Sequence, residues 1–123
     1  MSSRPEVASF IRASFRSVWA LELLCFLRQN RDRSLSHADM VAGLRGSDLV
    51  VTQSVESLGA AGLVLTDADG SARYAPAAPD LDTLVEQAEA LYASSPDAVR
   101  RMIVAAANPS ITAFADAFRL WKD

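Results

Sequence analysis

Apolar side chains recur at helical spacing from the start of the chain. Ala8, Ile11, Phe15, Val18 and Trp19 fall on one face of a 3.6-residue period, which predicts a helix through Phe15. Ser2 and Ser3 suit its N-cap and Pro5 its first turn. Ser17 is placed to restart the helix. From Val18 to Arg28 the apolar residues Val18, Trp19, Leu21, Leu23, Leu24, Cys25, Phe26 and Leu27 crowd around most of the circumference. That is the pattern of a central helix contacted on several sides. Gln29 to Arg33 form a polar connector, and Ser34 and Leu35 supply one short edge strand.

The next segment is the densest in signals. Ser36 followed by Asp39 is a form of the capping box, with the carboxylate near the positive end of the helix dipole. The helix it opens carries Met40, Val41 and Leu44 inward. Gly46 is expected to end it, and Ser47 to cap the following helix at once, across a very tight turn. In that helix Leu49, Val50, Val51, Val55, Leu58 and Ala61 are apolar, while Asp48, Thr52, Gln53, Ser54, Glu56 and Ser57 are polar. One buried and one exposed face are predicted, although the period is not clean. Gly62 closes the helix. Leu63, Val64 and Leu65 read as a strand, Asp67 to Gly70 as a turn, and Ala72 to Ala75 as the returning strand.

Beyond Pro76 and Pro79 the pattern is purely helical. Leu81, Leu84, Val85, Ala88, Leu91 and Tyr92 form a stripe at i, i+3, i+4, i+7, i+10 and i+11. Ser94, Ser95 and Pro96 open another helix with Val99, Met102, Ile103 and Ala106 inward. Asn108, Pro109 and Ser110 precede a last one carrying Ile111, Phe114, Ala115, Phe118 and Trp121. The expected architecture is mainly α with a small β-hairpin (α+β). It is one domain over residues 1–123, with a core at 17–76 and a C-terminal helical extension at 80–122.

With 123 residues, half of them apolar, the chain is long enough for one core and too short for two. Arg12, Arg16, Glu22 and Arg28 interrupt the N-terminal apolar region, so no membrane span is expected. No cleavable leader is read there either, which places the expected location in the cytoplasm. Cys25 is the single cysteine; it excludes an intrachain disulfide and reads as a buried thiol.

Charge narrows the partners. The net charge is −3, and the acidity is concentrated: residues 63–95 set Arg73 alone against Asp67, Asp69, Asp80, Asp82, Glu86 and Glu89. The segments on either side are nearly neutral. A domain gripping DNA through phosphates is expected to carry at least a local basic face. Asp80, Asp82, Glu86 and Glu89 read as a solvated helix face, with a docking patch for a basic partner as the functional alternative. His37, the single histidine, reads as a solvated first-turn residue beside Asp39. One His and one Cys cannot build a zinc set, and no Gly-x-Ser-x-Gly turn or glycine-rich phosphate loop is present. Phe15, Trp19, Phe114, Phe118 and Trp121 read as core or interface aromatics. No enzyme, metal or cofactor is expected.

The order helix, short strand, helix, tight turn, helix, Gly-Leu-Val strand and Asp-Gly hairpin resembles the bacterial winged helix-turn-helix regulators of the MarR-like and ArsR-like type. The likeness covers residues 17–76, and SLGAAGLVLTDADGSARYAP is similar to the helix end, strand and wing those families share. It implies that the second helix of the motif enters the major groove and the wing meets phosphate or the minor groove. The implied base readers are Thr52, Gln53, Ser54 and Ser57, with Arg73 in the wing and Ser47 at the helix start. Arg31, Arg33 and Arg45 around the motif supply cations, with Arg4, Arg12 and Arg16 in reserve. The resemblance further implies a homodimer through N- and C-terminal helices, a short double-stranded operator, and release by a small apolar ligand entering between the core and the C-terminal helices.

The sequence departs from that pattern where it matters. No Arg or Lys lies between Ser47 and Leu65, and Asp48 and Glu56 do. Gln53 still has the geometry for adenine, and Ser or Thr for either base edge. The alternative is a winged-helix protein-interaction module with little DNA affinity that binds a basic partner through its acidic surface.

Overall fold

A computed structural model of the chain describes residues 4–107. The elements follow in the order α1 (Arg4–Ser14), α2 (Val18–Gln29), α3 (His37–Leu44), α4 (Asp48–Ala60), β1 (Val64–Thr66), β2 (Ala72–Tyr74), α5 (Pro79–Ser94) and α6 (Pro96–Ala107). The described protein is mainly helical with a small two-stranded antiparallel sheet. No helix among the described residues is long and apolar enough to cross a membrane.

The center of the core is α2. Ser17 caps it from an extended backbone, its Oγ accepting from the Ala20 N–H at 3.1 Å. The helix buries Ala20, Leu21, Leu23, Leu24 and Leu27 and is packed by α3, α4, α6 and β2. Each fully buried leucine contributes about 1.5–3 kcal/mol of transfer free energy, so this one helix supplies much of the drive to fold. Before it, α1 buries Val7, Phe10 and Ile11, and Phe15 meets Phe10 edge to face at 5.8 Å.

The capping box of α3 is complete. Ser36 Oγ accepts from the Asp39 N–H, and the Asp39 carboxylate accepts from the Ser36 N–H. Met40 is buried, while Val41 and Leu44 pack at the edge of the core. The end of α3 differs from the expectation. Arg45, not Gly46, takes the left-handed conformation, with φ 57°, and its N–H closes on the Val41 carbonyl at 2.9 Å. Gly46 instead lies close to the Trp19 ring and Val50. Earlier in α3, a Cβ at Gly43 would overlap the ring of Phe26, so glycine there permits close packing of α3 on α2.

After α4, Gly62 reverses the chain with φ 77°, and the Leu63 N–H bonds the Leu58 carbonyl at 3.1 Å. Against the expectation, β1 is shifted one residue later at both ends, over Val64–Thr66, and β2 starts at Ala72 as expected but ends one residue earlier, at Tyr74. Their register pairs Val64 with Tyr74, Leu65 with Arg73 and Thr66 with Ala72. At the turn, Gly70 has φ 87° and Asp69 Oδ1 accepts from the Ser71 N–H at 3.0 Å. Leu35, expected in an edge strand, exchanges both backbone bonds with Ala72 at 2.8 and 2.9 Å.

The stripe of α5 is covered within the chain. Val85 and Ala88 are buried and Leu81, Leu84, Leu91 and Tyr92 half-buried, against α1 and α6. In α6, Val99 and Ile103 are buried, but Ala106, expected to face inward, is exposed. The helix expected to carry Ile111, Phe114, Ala115, Phe118 and Trp121 lies outside the described residues, as does Arg4's side chain.

Candidate nucleic-acid interface

The placement of α4 decides which of its side chains are available. Ser47 caps it, its Oγ accepting from the Val50 N–H at 3.1 Å. Asp48 in the first turn complements the dipole. Val51, Ser54 and Leu58 are buried; at i, i+3 and i+7 they lie on one helix face, in a helix packed on α2. The outward positions are Asp48, Leu49, Thr52, Gln53, Glu56, Gly59 and Ala60.

That rotation divides the expected base readers. Thr52 and Gln53 are exposed, with the Thr52 hydroxyl donating to the Asp48 carbonyl at 2.9 Å. Ser54 is only 3% exposed, so it belongs to the packed face. Ser57 is half-buried, and its Oγ is covered with no hydrogen-bond partner. Ser47 uses its hydroxyl as a cap. Leu49, expected among the apolar inward residues, is 64% exposed.

The expected cations Arg31, Arg33, Arg45 and Arg73 are all exposed. Arg73 stands opposite Leu65 in the ribbon, and both point outward. The structure adds one that the sequence held only in reserve. Arg16 lines a groove of about 330 Å³ together with Ser17, Trp19, Val50 and Gln53, with the buried Ser54 and half-buried Ser57 in its lining, between the α1–α2 corner and α4. Arg16 and Gln53 therefore border the same groove.

The other flank of α4 has the opposite character. A groove of about 410 Å³ between α4 and the ribbon is lined by His37, Thr52, Val55, Glu56, Thr66 and Asp67, together with small residues. His37 Nε2 lies 3.0 Å from Asp48 Oδ1. The histidine thus stays in the first turn of α3 as expected, and its partner is Asp48 in the first turn of α4. The pair is open to water, where such contacts contribute little.

The acidic face of α5 is also corrected. Asp80 and Glu86 are exposed, but Asp82 accepts from the Tyr74 hydroxyl at 2.5 Å, and Glu89 bonds Arg28 Nη1 at 3.1 Å. Tyr92 adds a third tie, donating to Glu22 Oε1 at 2.9 Å. Burial first, then Asp82, pushes the Tyr74 hydroxyl above its ordinary pKa. These carboxylates fasten α5 to α2 and β2. No sequence rule pairs them, because the partners are distant along the chain.

Beside this layer, an open groove of about 490 Å³ has a mixed lining, with Phe26 and Leu44 next to Glu22, Cys25, Glu89 and Tyr92. Cys25 is half-buried. Burial first, then the Glu89 carboxylate, pushes its thiol up to about 12, which keeps it protonated and poorly nucleophilic near neutrality. Among the described residues no group of three or more His, Cys, Asp or Glu could hold a metal ion. Comparison of the chain with protein-family models, curated proteins and solved structures finds no match in any of the three.

Proposed function

We propose that α2, α3, α4 and the β1–β2 ribbon, with the Leu35 bridge, form a winged helix-turn-helix of the MarR-like or ArsR-like kind. On this reading the protein is a DNA-binding transcriptional regulator acting as a homodimer on a short operator. One observation carries the reading: α4 is turned so that Thr52 and Gln53 face outward, and Arg16 borders the groove that Gln53 lines.

In this arrangement α4 lies in the major groove. The Gln53 amide offers a donor and an acceptor side by side, the pair that adenine accepts from a side chain, and Thr52 meets a base edge or a phosphate. Arg16 and Arg45 flank α4 and neutralise phosphates, Arg73 does so from the wing, and Arg31 and Arg33 extend the contact. A protomer brings few cations, so a two-fold pair through the outward faces of the flanking helices doubles them. A small ligand with apolar and hydrogen-bonding parts fits the groove beside Phe26, Leu44 and Tyr92 and acts on the packing of α5.

The test is selection of duplexes from genomic fragments, followed by fluorescence anisotropy at low and moderate salt. Retention of a sequence-specific subset, with affinity falling as salt rises, supports the regulator. Failure to retain any duplex at low salt overturns it. A protein-interaction module is the second reading, favored by the exposed Asp48 and Glu56 on an α4 without Lys or Arg.

A further inference from the structure

The groove between α4 and the ribbon has three properties that belong together. First, its walls come from separate elements, with Glu56 contributed by α4 and Thr66 and Asp67 by the ribbon. Second, Val55 forms part of its apolar lining, and Gly59, Ala60 and Gly70 leave space around it. Third, neither Lys nor Arg lines it.

The carboxylates differ in what already satisfies them. On α5, Asp82 accepts from Tyr74, and Glu89 pairs with Arg28 through Oε1 while its Oε2 is buried without a hydrogen-bond partner. Asp48 has His37, and Asp69 accepts from the Ser71 amide. The ion pairs among the described residues are Arg28–Glu89, His37–Asp48 and Arg100–Asp97, and neither Glu56 nor Asp67 takes part in one. Glu56 on the α4 wall and Asp67 on the ribbon wall, with Val55 in the same lining, suit a long cationic side chain: the methylene stem lies along the apolar surface while the charged head reaches the acids.

We propose that this groove is a docking site for a basic segment of a partner protein, which lays an arginine or lysine over Val55 and sets its charge between Glu56 and Asp67. The acidic surface that binds a basic partner is therefore the α4–ribbon groove and not the α5 face. Thr52 belongs both to this groove and to the outward face of α4, so a bound segment covers part of the surface turned to DNA. That last consequence rests on the regulator reading; the docking itself does not.

The probe is a short fluorescein-labelled peptide of alternating arginine and serine, titrated with the full chain by anisotropy at low salt. Glu56→Gln and Asp67→Asn are each expected to weaken binding about 3- to 5-fold, the scale of a partly exposed charge pair. Glu86→Gln removes an exposed α5 carboxylate outside the groove and is expected to change affinity less than about 2-fold. All three positions are exposed, and circular dichroism confirms that the variants are folded. Equal losses for Glu86→Gln and the groove variants, wild-type affinity in both groove variants, or no binding by wild type would each overturn the proposal. Absence of DNA binding in a parallel titration counts against the regulator reading alone.

Discussion

The Tyr74 hydroxyl, at the end of β2, donates to Oδ1 of Asp82 on α5 at 2.5 Å. Tyr74 is almost fully buried, and the acceptor is charged, so the bond belongs to the stronger class. Tyr74→Phe is expected to destabilise the fold by about 1.5–3 kcal/mol, read as a lower urea midpoint. The same bond sets an alkaline limit. Because burial and Asp82 raise the folded-state pKa, the folded chain holds this proton more tightly than the unfolded chain. The associated stability is fully present below the ordinary tyrosine value of about 10 and is lost as pH rises through the folded-state value. Tyr74→Phe should flatten that alkaline loss in urea titrations across this range.

Arg45 allows stability and binding to be separated. Its φ of 57° costs a side-chain-bearing residue roughly 1–2 kcal/mol, part of which glycine recovers. Arg45→Gly is expected to stabilise the protein by about 0.5–1 kcal/mol after the entropy gained by the unfolded chain is subtracted. It should also weaken binding of a selected duplex by about 2- to 4-fold through one lost phosphate contact. Arg45→Ala should weaken binding similarly with no gain in stability. Thermal melts and anisotropy check the opposite signs.

Gln53 and Ser54 are neighbors with different predicted roles. Gln53→Ala should cost a selected duplex about 10-fold or more in affinity and leave the melting temperature unchanged. Ser54→Ala should leave duplex affinity unchanged, since the residue is on the packed face. Equal effects of the two substitutions on DNA binding would contradict the orientation of α4 as a reader.

The contrast between these residues shows what the sequence discloses. The caps at Ser17, Ser36 and Ser47 and the turns at Gly62 and Gly70 were legible because each depends on a few adjacent residues, whereas the strand expected at Ser34 and Leu35 is a single bridge from Leu35 to the distant Ala72. The rotation of α4 was not read from polarity, which grouped Ser54 with Thr52 and Gln53. The spacing of Val51, Ser54 and Leu58 held the signal, since the face shared with two large apolar residues is the one turned to α2. Arg45 was missed because glycine is the usual left-handed residue and Gly46 stood next to it. Asp82 and Glu89 looked solvated because Tyr74 and Arg28 lie on other elements, and the acids of the α4–ribbon groove are likewise separated in sequence.

Cys25 is expected to be slow toward a thiol reagent. With its pKa pushed up to about 12, the thiolate is scarce at pH 8, and partial burial hinders access. Labelling by a chromogenic disulfide at pH 8 should be slow in buffer and fast in urea, with a midpoint that coincides with the unfolding transition. Rapid stoichiometric labelling of the folded protein would show that the thiol is neither covered nor held protonated.

Leu35 and Ala72 exchange both of their backbone bonds, while Tyr74 two residues later is fastened to α5 and Leu63, just before β1, is fastened to the end of α4. The foot of the ribbon is therefore a joint of three struts that are remote in sequence. A push on the projecting tip is borne by the whole frame, and the pitch of α4 is held by the same joint that carries the finger beside it.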